Sequence, residues 1–261
     1  MKFLLLLQVY FDYVTIQESM KNLILIPVLK ILSLFKYRGF PLYYLPDAGM
    51  GSHKKYLKFL LENLDSTNPV LVEAGSGDNS TGLFVKELKN KNYSLYSFEN
   101  HKAWHVKMAG KYKNVNSQFI YIEGSYLDIK KYLDKDSINK IDLTFIDSNP
   151  WESRTEVKNL LSNISDIVCI HDVDYFPHNN IWGKEISEIV YKPKNKYFYG
   201  QLNEKNLGNR NYDDDFKYWV EIFPVKPGYF TGPPLLVGSN TIDIRNLFQT
   251  KRPKGIYFFS A

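Results

Sequence analysis

The sequence predicts an α/β fold, a doubly wound and mostly parallel sheet with helices on both faces and an antiparallel hairpin at one edge. Three observations predict it. Apolar runs of strand type alternate with helical stretches from residue 70 to residue 171, with no internal repeat and no linker. The first run ends in a glycine turn that opens a helix, read VLVEAGSGDNST over residues 70 to 81. Beyond Pro177 the alternation stops, and two late strand-like runs remain to close the sheet edge.

Each element follows from local pattern. Ser52 offers an N-cap for a helix that spaces Tyr56, Leu57, Leu60, Leu61 and Leu64 along one face, and Asn68-Pro69 ends the approach to the first strand. After the first strand and its turn, Ser80 and Thr81 offer caps for a helix through Leu83, Phe84, Val85 and Leu88. Tyr93 to Phe98 is a second strand and ends on Glu99. Ala103 to Tyr112 is a helix and Ser117 to Ile122 a third strand. Ile129 to Leu133 is a short helix. Ile141 to Ile146 is a fourth strand ending on Asp147, and Glu152 to Leu161 is a helix. Asp166 to Ile170 is a fifth strand, ending on His171 and Asp172. Tyr218 to Phe223 and Leu235 to Val237 form the late antiparallel pair, and Lys251 to Lys254 is a solvated tail.

The chain divides into an apolar N-terminal extension, residues 1–40, and a domain over 41–261 with a cofactor half at 69–176 and a substrate and edge half at 177–250. The extension carries FLLLL after Lys2 and an apolar stretch from Leu23 to Phe35. It has no Ala-x-Ala cleavage site, and Pro27 interrupts a run already short of the roughly 20 residues a membrane span needs. It reads as a helix packed on the domain or a leader. Residues 21–38, with Lys21, Lys30, Lys36 and Arg38, also suit a peripheral membrane contact.

Composition excludes several classes. The net charge of +5 comes from 33 basic and 28 acidic residues, too balanced for a nucleic-acid field, so a small-molecule substrate is expected rather than a nucleic acid. The one cysteine, Cys169, excludes an internal disulfide and a cysteine zinc cluster, and fits a reducing, cytoplasmic setting. His53, His105 and His178 read as surface residues.

The functional residues sit where strands end. The turn Gly75-Ser76-Gly77 lets backbone approach a ligand without a Cβ in the way. Glu99 follows Gly77 by 22 positions, which puts a carboxylate at the tip of the neighbouring strand, where it can accept both hydroxyls of a ribose. Strand, glycine turn and helix build a nucleotide-cofactor site in Rossmann-like sheets. A dinucleotide pyrophosphate is disfavoured, because Asp78 lies inside the turn and Ser80 takes the place of the last glycine of G-x-G-x-x-G.

On these residues, the segment from 69 to 176 resembles the class I S-adenosylmethionine-dependent methyltransferases. E-A-G-S-G-D-N matches the family's first motif through Glu73, Gly75 and Gly77, with Asn79 standing where the family has a third glycine. The resemblance implies S-adenosyl-L-methionine as cofactor. Glu73 would reach its methionyl amino group through water, and Gly75, Ser76 and Gly77 would run beside it. Glu99 would hold the ribose, Ser125 and Tyr126 would contact the adenine, and Asp147 would lie at the reacting centre. The implied activity is O-methylation of a small hydroxylated or sugar-type substrate.

The segment IHDVDYF, residues 170–176, adds His171, Asp172 and Asp174 to the same rim as Asp147. Three readings stand. Asp147, Asp172 and Asp174 hold a divalent cation such as Mg that acidifies the acceptor, as in metal-dependent O-methyltransferases, although Val173 follows the second acid where that group has Asn. Alternatively His171 is a general base without a metal. In the third, these residues only order the loop. Two other functions compete: a metal-dependent glycosyltransferase using Asp172-Val173-Asp174 as a D-x-D pair, and a non-catalytic cofactor-binding interaction domain.

Overall fold

The computed structural model describes residues 53–114, 116–150, 152–173, 212–223, 235–251 and 257–259. The extension at 1–40, its membrane contact at 21–38, Asp174, His178 and most of the substrate half lie outside the described residues. Among the described residues no helix is long and apolar enough to cross a membrane.

The elements are α1 (Lys54–Glu62), β1 (Val70–Ala74), α2 (Thr81–Glu87), β2 (Ser94–Glu99), α3 (Lys102–Tyr112), β3 (Ser117–Tyr121), a 3₁₀ turn (Tyr126–Asp128) and α4 (Ile129–Lys135). Then follow β4 (Ile141–Ile146), α5 (Glu152–Leu161), β5 (Ser165–His171), β6 (Tyr218–Phe223), β7 (Leu235–Ser239), α6 (Ile244–Thr250) and β8 (Tyr257–Phe259). The sheet has 8 strands in the order β3-β2-β1-β4-β5-β7-β6-β8. β1 through β5 run parallel, while β7 lies antiparallel between β5 and β6, and β8 pairs antiparallel with β6. This is the doubly wound Rossmann-like fold the sequence predicts, with an antiparallel edge. The late antiparallel pair forms, with β7 lying between β5 and β6. Two elements go beyond the sequence reading: α6, and a strand from the Tyr257–Phe259 segment.

Successive residues of each central strand serve opposite faces, which is the period of a pleated strand buried on both sides. Leu71, Leu95, Leu143, Phe145, Ile167 and Cys169 join one core with α1, α2 and α6. Val72, Tyr96, Ile146, Val168 and Ile170 join the other with the 3₁₀ turn, α4 and α5. Cys169 is buried in the first of these cores, and burial raises its thiol pKa. The register then aligns the strand ends. Ala74 pairs with Phe98 and Ile146, and Ile146 with Ile170. Gly75, Glu99, Asp147 and His171 are thereby brought to one rim.

Candidate active site at the carboxyl rim of the sheet

The two glycines of the turn have different reasons to be glycine. Gly75 has φ +88°, and a Cβ there would fall 2.4 Å from the Asp147 carbonyl oxygen. The β1 and β4 backbones meet at this point, where the Asp147 N–H donates to the Ala74 carbonyl at 2.8 Å and the Gly75 N–H to the Phe98 carbonyl at 2.9 Å. A Cβ on Gly77 would meet only Ser80 Oγ, at 3.6 Å. Nothing among the described residues therefore demands glycine at 77, and none of them crowds the direction a Cβ would take.

Glu73 organises the turn from below. Its Oε2 accepts hydroxyl hydrogens from Thr81 and Ser97, both at 2.6 Å. The Thr81 hydroxyl in turn accepts the Gly77 N–H at 2.9 Å. Thr81 thus points inward, and Ser80 takes the N-cap position of α2 without a side-chain capping bond. Burial pushes the Glu73 carboxyl up to about 7, against the opposing hydroxyls of Ser80, Ser97 and Thr81. Its Oε1 is buried and, among the described residues, has no hydrogen-bond partner. A buried acceptor of this kind calls for a donor.

Glu99 holds the turn from the side. Oε2 accepts from the Ser76 N–H at 3.1 Å and the Ser76 hydroxyl at 3.0 Å, and Oε1 accepts from the His101 N–H at 2.8 Å. A carboxylate offers about four acceptor positions, so these three contacts leave room for a further donor on Oε1. Trp104 donates its indole N–H to the Ser76 carbonyl at 2.6 Å, with Lys107 4.1 Å above its ring. Asp78 accepts from Lys111 at 2.8 Å and Tyr112 at 2.6 Å. Its charge is therefore countered, which weakens the sequence argument that it repels a pyrophosphate. Ser125 is exposed and accepts the Leu127 N–H at 3.1 Å, capping the 3₁₀ turn. Tyr126 is buried in the core, its hydroxyl donating to Asn100 at 3.3 Å, and burial raises its pKa.

At the ends of β4 and β5, a residue that the sequence reading passed over becomes central. Arg154, on α5, is buried. Its Nε donates to the Ser148 carbonyl at 3.0 Å, and its Nη2 to Asp147 Oδ1 at 2.9 Å. Its Nη1 donates to the His171 carbonyl at 2.6 Å and to Asp172 Oδ2 at 3.2 Å. His171 Nδ1 lies 3.2 Å from Asp147 Oδ1 and 3.3 Å from Asp172 Oδ1. Burial alone would raise the Asp147 carboxyl, but His171 and Arg154 hold it well below the carboxylate range. Burial would lower His171, but Asp172 and Asp147 outweigh it and raise its pKa. Asp172 itself has φ +52°, a left-handed conformation that acids adopt more readily than most side chains. Nothing in the sequence singles out Arg154 among the polar residues of its helix.

His53 departs from its expected surface position. It is 2% exposed, packed against the His171 ring at 4.4 Å and the Phe145 ring at 5.0 Å. Burial, with His171 next, lowers its pKa. The helix α1 therefore closes one side of the acid cluster.

The donors of Asp147, His171 and Asp172 lie within 4.8 Å of one another, as a metal site would require. The surrounding charge does not fit a metal. Both carboxylates are already bonded to one guanidinium, and a divalent cation between them would face that positive charge at contact distance. The same pairing occupies the first acid of the D-x-D, while Val173 is buried in the core.

No protein-family profile matches the chain, and no curated protein does. Solved structures similar to it include an rRNA methylase from Streptococcus thermophilus, at 13% identity over 70% of this chain and 92% of that one, with a TM-score of 0.41. The O-methyltransferase TomG from Streptomyces achromogenes, in complex with SAM, is similar at 15% identity over 86% and 99%, TM-score 0.44. An O-methyltransferase from Bacillus cereus is similar at 12% identity over 89% and 96%, TM-score 0.42.

Proposed function

We propose that the protein is an S-adenosylmethionine-dependent methyltransferase, acting on the oxygen of a small hydroxylated or sugar-type acceptor. The observation that carries this reading is the rim itself, where the open Gly77 backbone, Glu99 and Asp147 converge at the carboxyl ends of β1, β2 and β4. The residues fit the cofactor. Glu73 Oε1, without a partner among the described residues, suits the methionyl ammonium through water, the uncrowded side of Gly77 leaves room for the chain, and Glu99 retains an acceptor position for the ribose. Ser125 and the Tyr126 hydroxyl are assigned to the adenine end. Bound there, the cofactor supplies an electrophilic methyl group.

The chain's own residues bind and orient. Among the described residues, Asp147 Oδ1 takes the bonds from Arg154 and His171, and Oδ2 remains for the acceptor. Held as an anion, Asp147 accepts a hydrogen bond from the acceptor hydroxyl, aligns its oxygen for in-line displacement, and takes the proton released as the new C–O bond forms and the cofactor's C–S bond breaks. His171 lies between two carboxylates and carries a proton, so it acts with Asp172 to position Asp147 instead of serving as a free base.

Calorimetry with S-adenosylmethionine, then transfer of a labelled methyl group to pooled hydroxylated metabolites and, separately, to RNA, tests the reading. Cofactor binding with label in the small-molecule pool supports it, with Asp147→Asn lowering turnover by about tenfold or more. Binding without turnover in either pool favours the interaction domain. Binding of a nucleotide-sugar with manganese, and not of S-adenosylmethionine, favours the glycosyltransferase.

A further inference from the structure

The acid rim contains its own cation. Metal-assisted transfer needs a positive charge between the two strand-end carboxylates to neutralise them and fix the acceptor. In this chain Arg154 provides that charge. The guanidinium is 5% exposed, against 29% for Asp147 and 19% for Asp172. It reaches both carboxylates and two main-chain carbonyls through four of its five N–H groups. Such planar, multidentate geometry is what a guanidinium offers and an ammonium does not. Helix α5 thereby ties the end of β4, through Ser148 and Asp147, to the end of β5, through His171 and Asp172.

We propose that Arg154 is a positioning residue standing where a divalent ion would bridge Asp147 and Asp172, and that this rim therefore works without a metal. The part concerning Asp147 as the acceptor's partner rests on the methyltransferase reading. The part concerning the metal rests on the geometry alone. The arrangement also engages one oxygen of Asp147, held by Arg154 and His171, while the side chain stays 29% exposed.

The test is manganese binding to the full chain, followed by loss of the free-ion electron paramagnetic resonance signal. No S-adenosylmethionine is needed, so failure of the methyltransferase reading would be seen separately, in the calorimetry. The wild-type protein is expected to leave the manganese signal unattenuated at millimolar ion. One-to-one uptake by the wild type, abolished by Asp172→Asn, would overturn the proposal. Arg154→Met, which keeps an apolar stem and removes the charge, is expected to gain a site. Its apparent manganese affinity should rise by about tenfold or more over wild type and fall again in the double variant with Asp172→Asn. A folded Arg154→Met protein that leaves manganese free would refute the substitution of arginine for ion. If that variant does not fold, Arg154→Gln carries the same comparison, and the wild-type titration decides the metal-free rim by itself.

Discussion

Gly75 and Gly77 differ in what replacement would cost. Gly75→Ala adds a Cβ 2.4 Å from the Asp147 carbonyl at a residue with φ +88°. Strain and overlap together should destabilise the chain by about 3 kcal/mol or more, read from urea denaturation. Gly77→Ala meets only Ser80 Oγ at 3.6 Å. Its stability should change by no more than about 1 kcal/mol, while calorimetry should show S-adenosylmethionine affinity falling by about tenfold or more. Glu73 makes a pH argument. Its carboxyl titrates near 4.5 when unfolded and at about 7 when buried, so between these values the folded chain holds the extra proton. Folding stability from this group is therefore full below the unfolded value and is lost as pH rises through about 7, a change of roughly 3 kcal/mol. Glu73→Gln should flatten that slope in denaturation curves measured from pH 5 to pH 8. The places of Glu73, Gly75 and Glu99 at the strand ends were legible in the sequence because they follow from position on a strand and its turn. Arg154 and His53 were not, because their partners are distant in sequence and meet only across packed elements.

The elements themselves were read well where one local pattern sufficed. Helix α5 and strand β6 fall on the bounds their periodicity suggests, and β1 to β5 lie within a residue or two of expectation. The edge hairpin depends on tertiary detail. On β7, Gly238 pairs with Trp219 of β6, and a Cβ on it would meet the Phe216 ring at 2.3 Å. Phe216 is 1% exposed and packed in the core, so it has little room to move. Gly238→Ala should therefore cost about 1–3 kcal/mol through overpacking, and hydrogen exchange should show lost protection in β6 and β7 first. Nothing in the sequence of Leu235 to Ser239 distinguishes a terminal edge strand from one inserted between two others. Both are short apolar runs, and the choice is made by what packs on each side.

For the whole molecule, the proposed cofactor site joins β1, β2 and β4, so occupancy should stabilise the domain and not a single loop. At a free concentration one hundred times Kd, S-adenosylmethionine should add about 2.7 kcal/mol. That corresponds to a rise in Tm of about 5–10 °C in a thermal-shift assay, with NAD giving no comparable rise. The sequence by itself determined the parallel sheet, the glycine turn at its first strand, and the acids that close the strands. These are consequences of local periodicity and of where a chain can turn. Only the tertiary structure decided how the acids are used. Register brought Asp147, His171 and Asp172 together, and α5 placed the Arg154 guanidinium among them. The physical reason is range: backbone preference acts over a few residues, whereas the charge balance of a buried site is set by whatever groups the fold packs within a few ångströms.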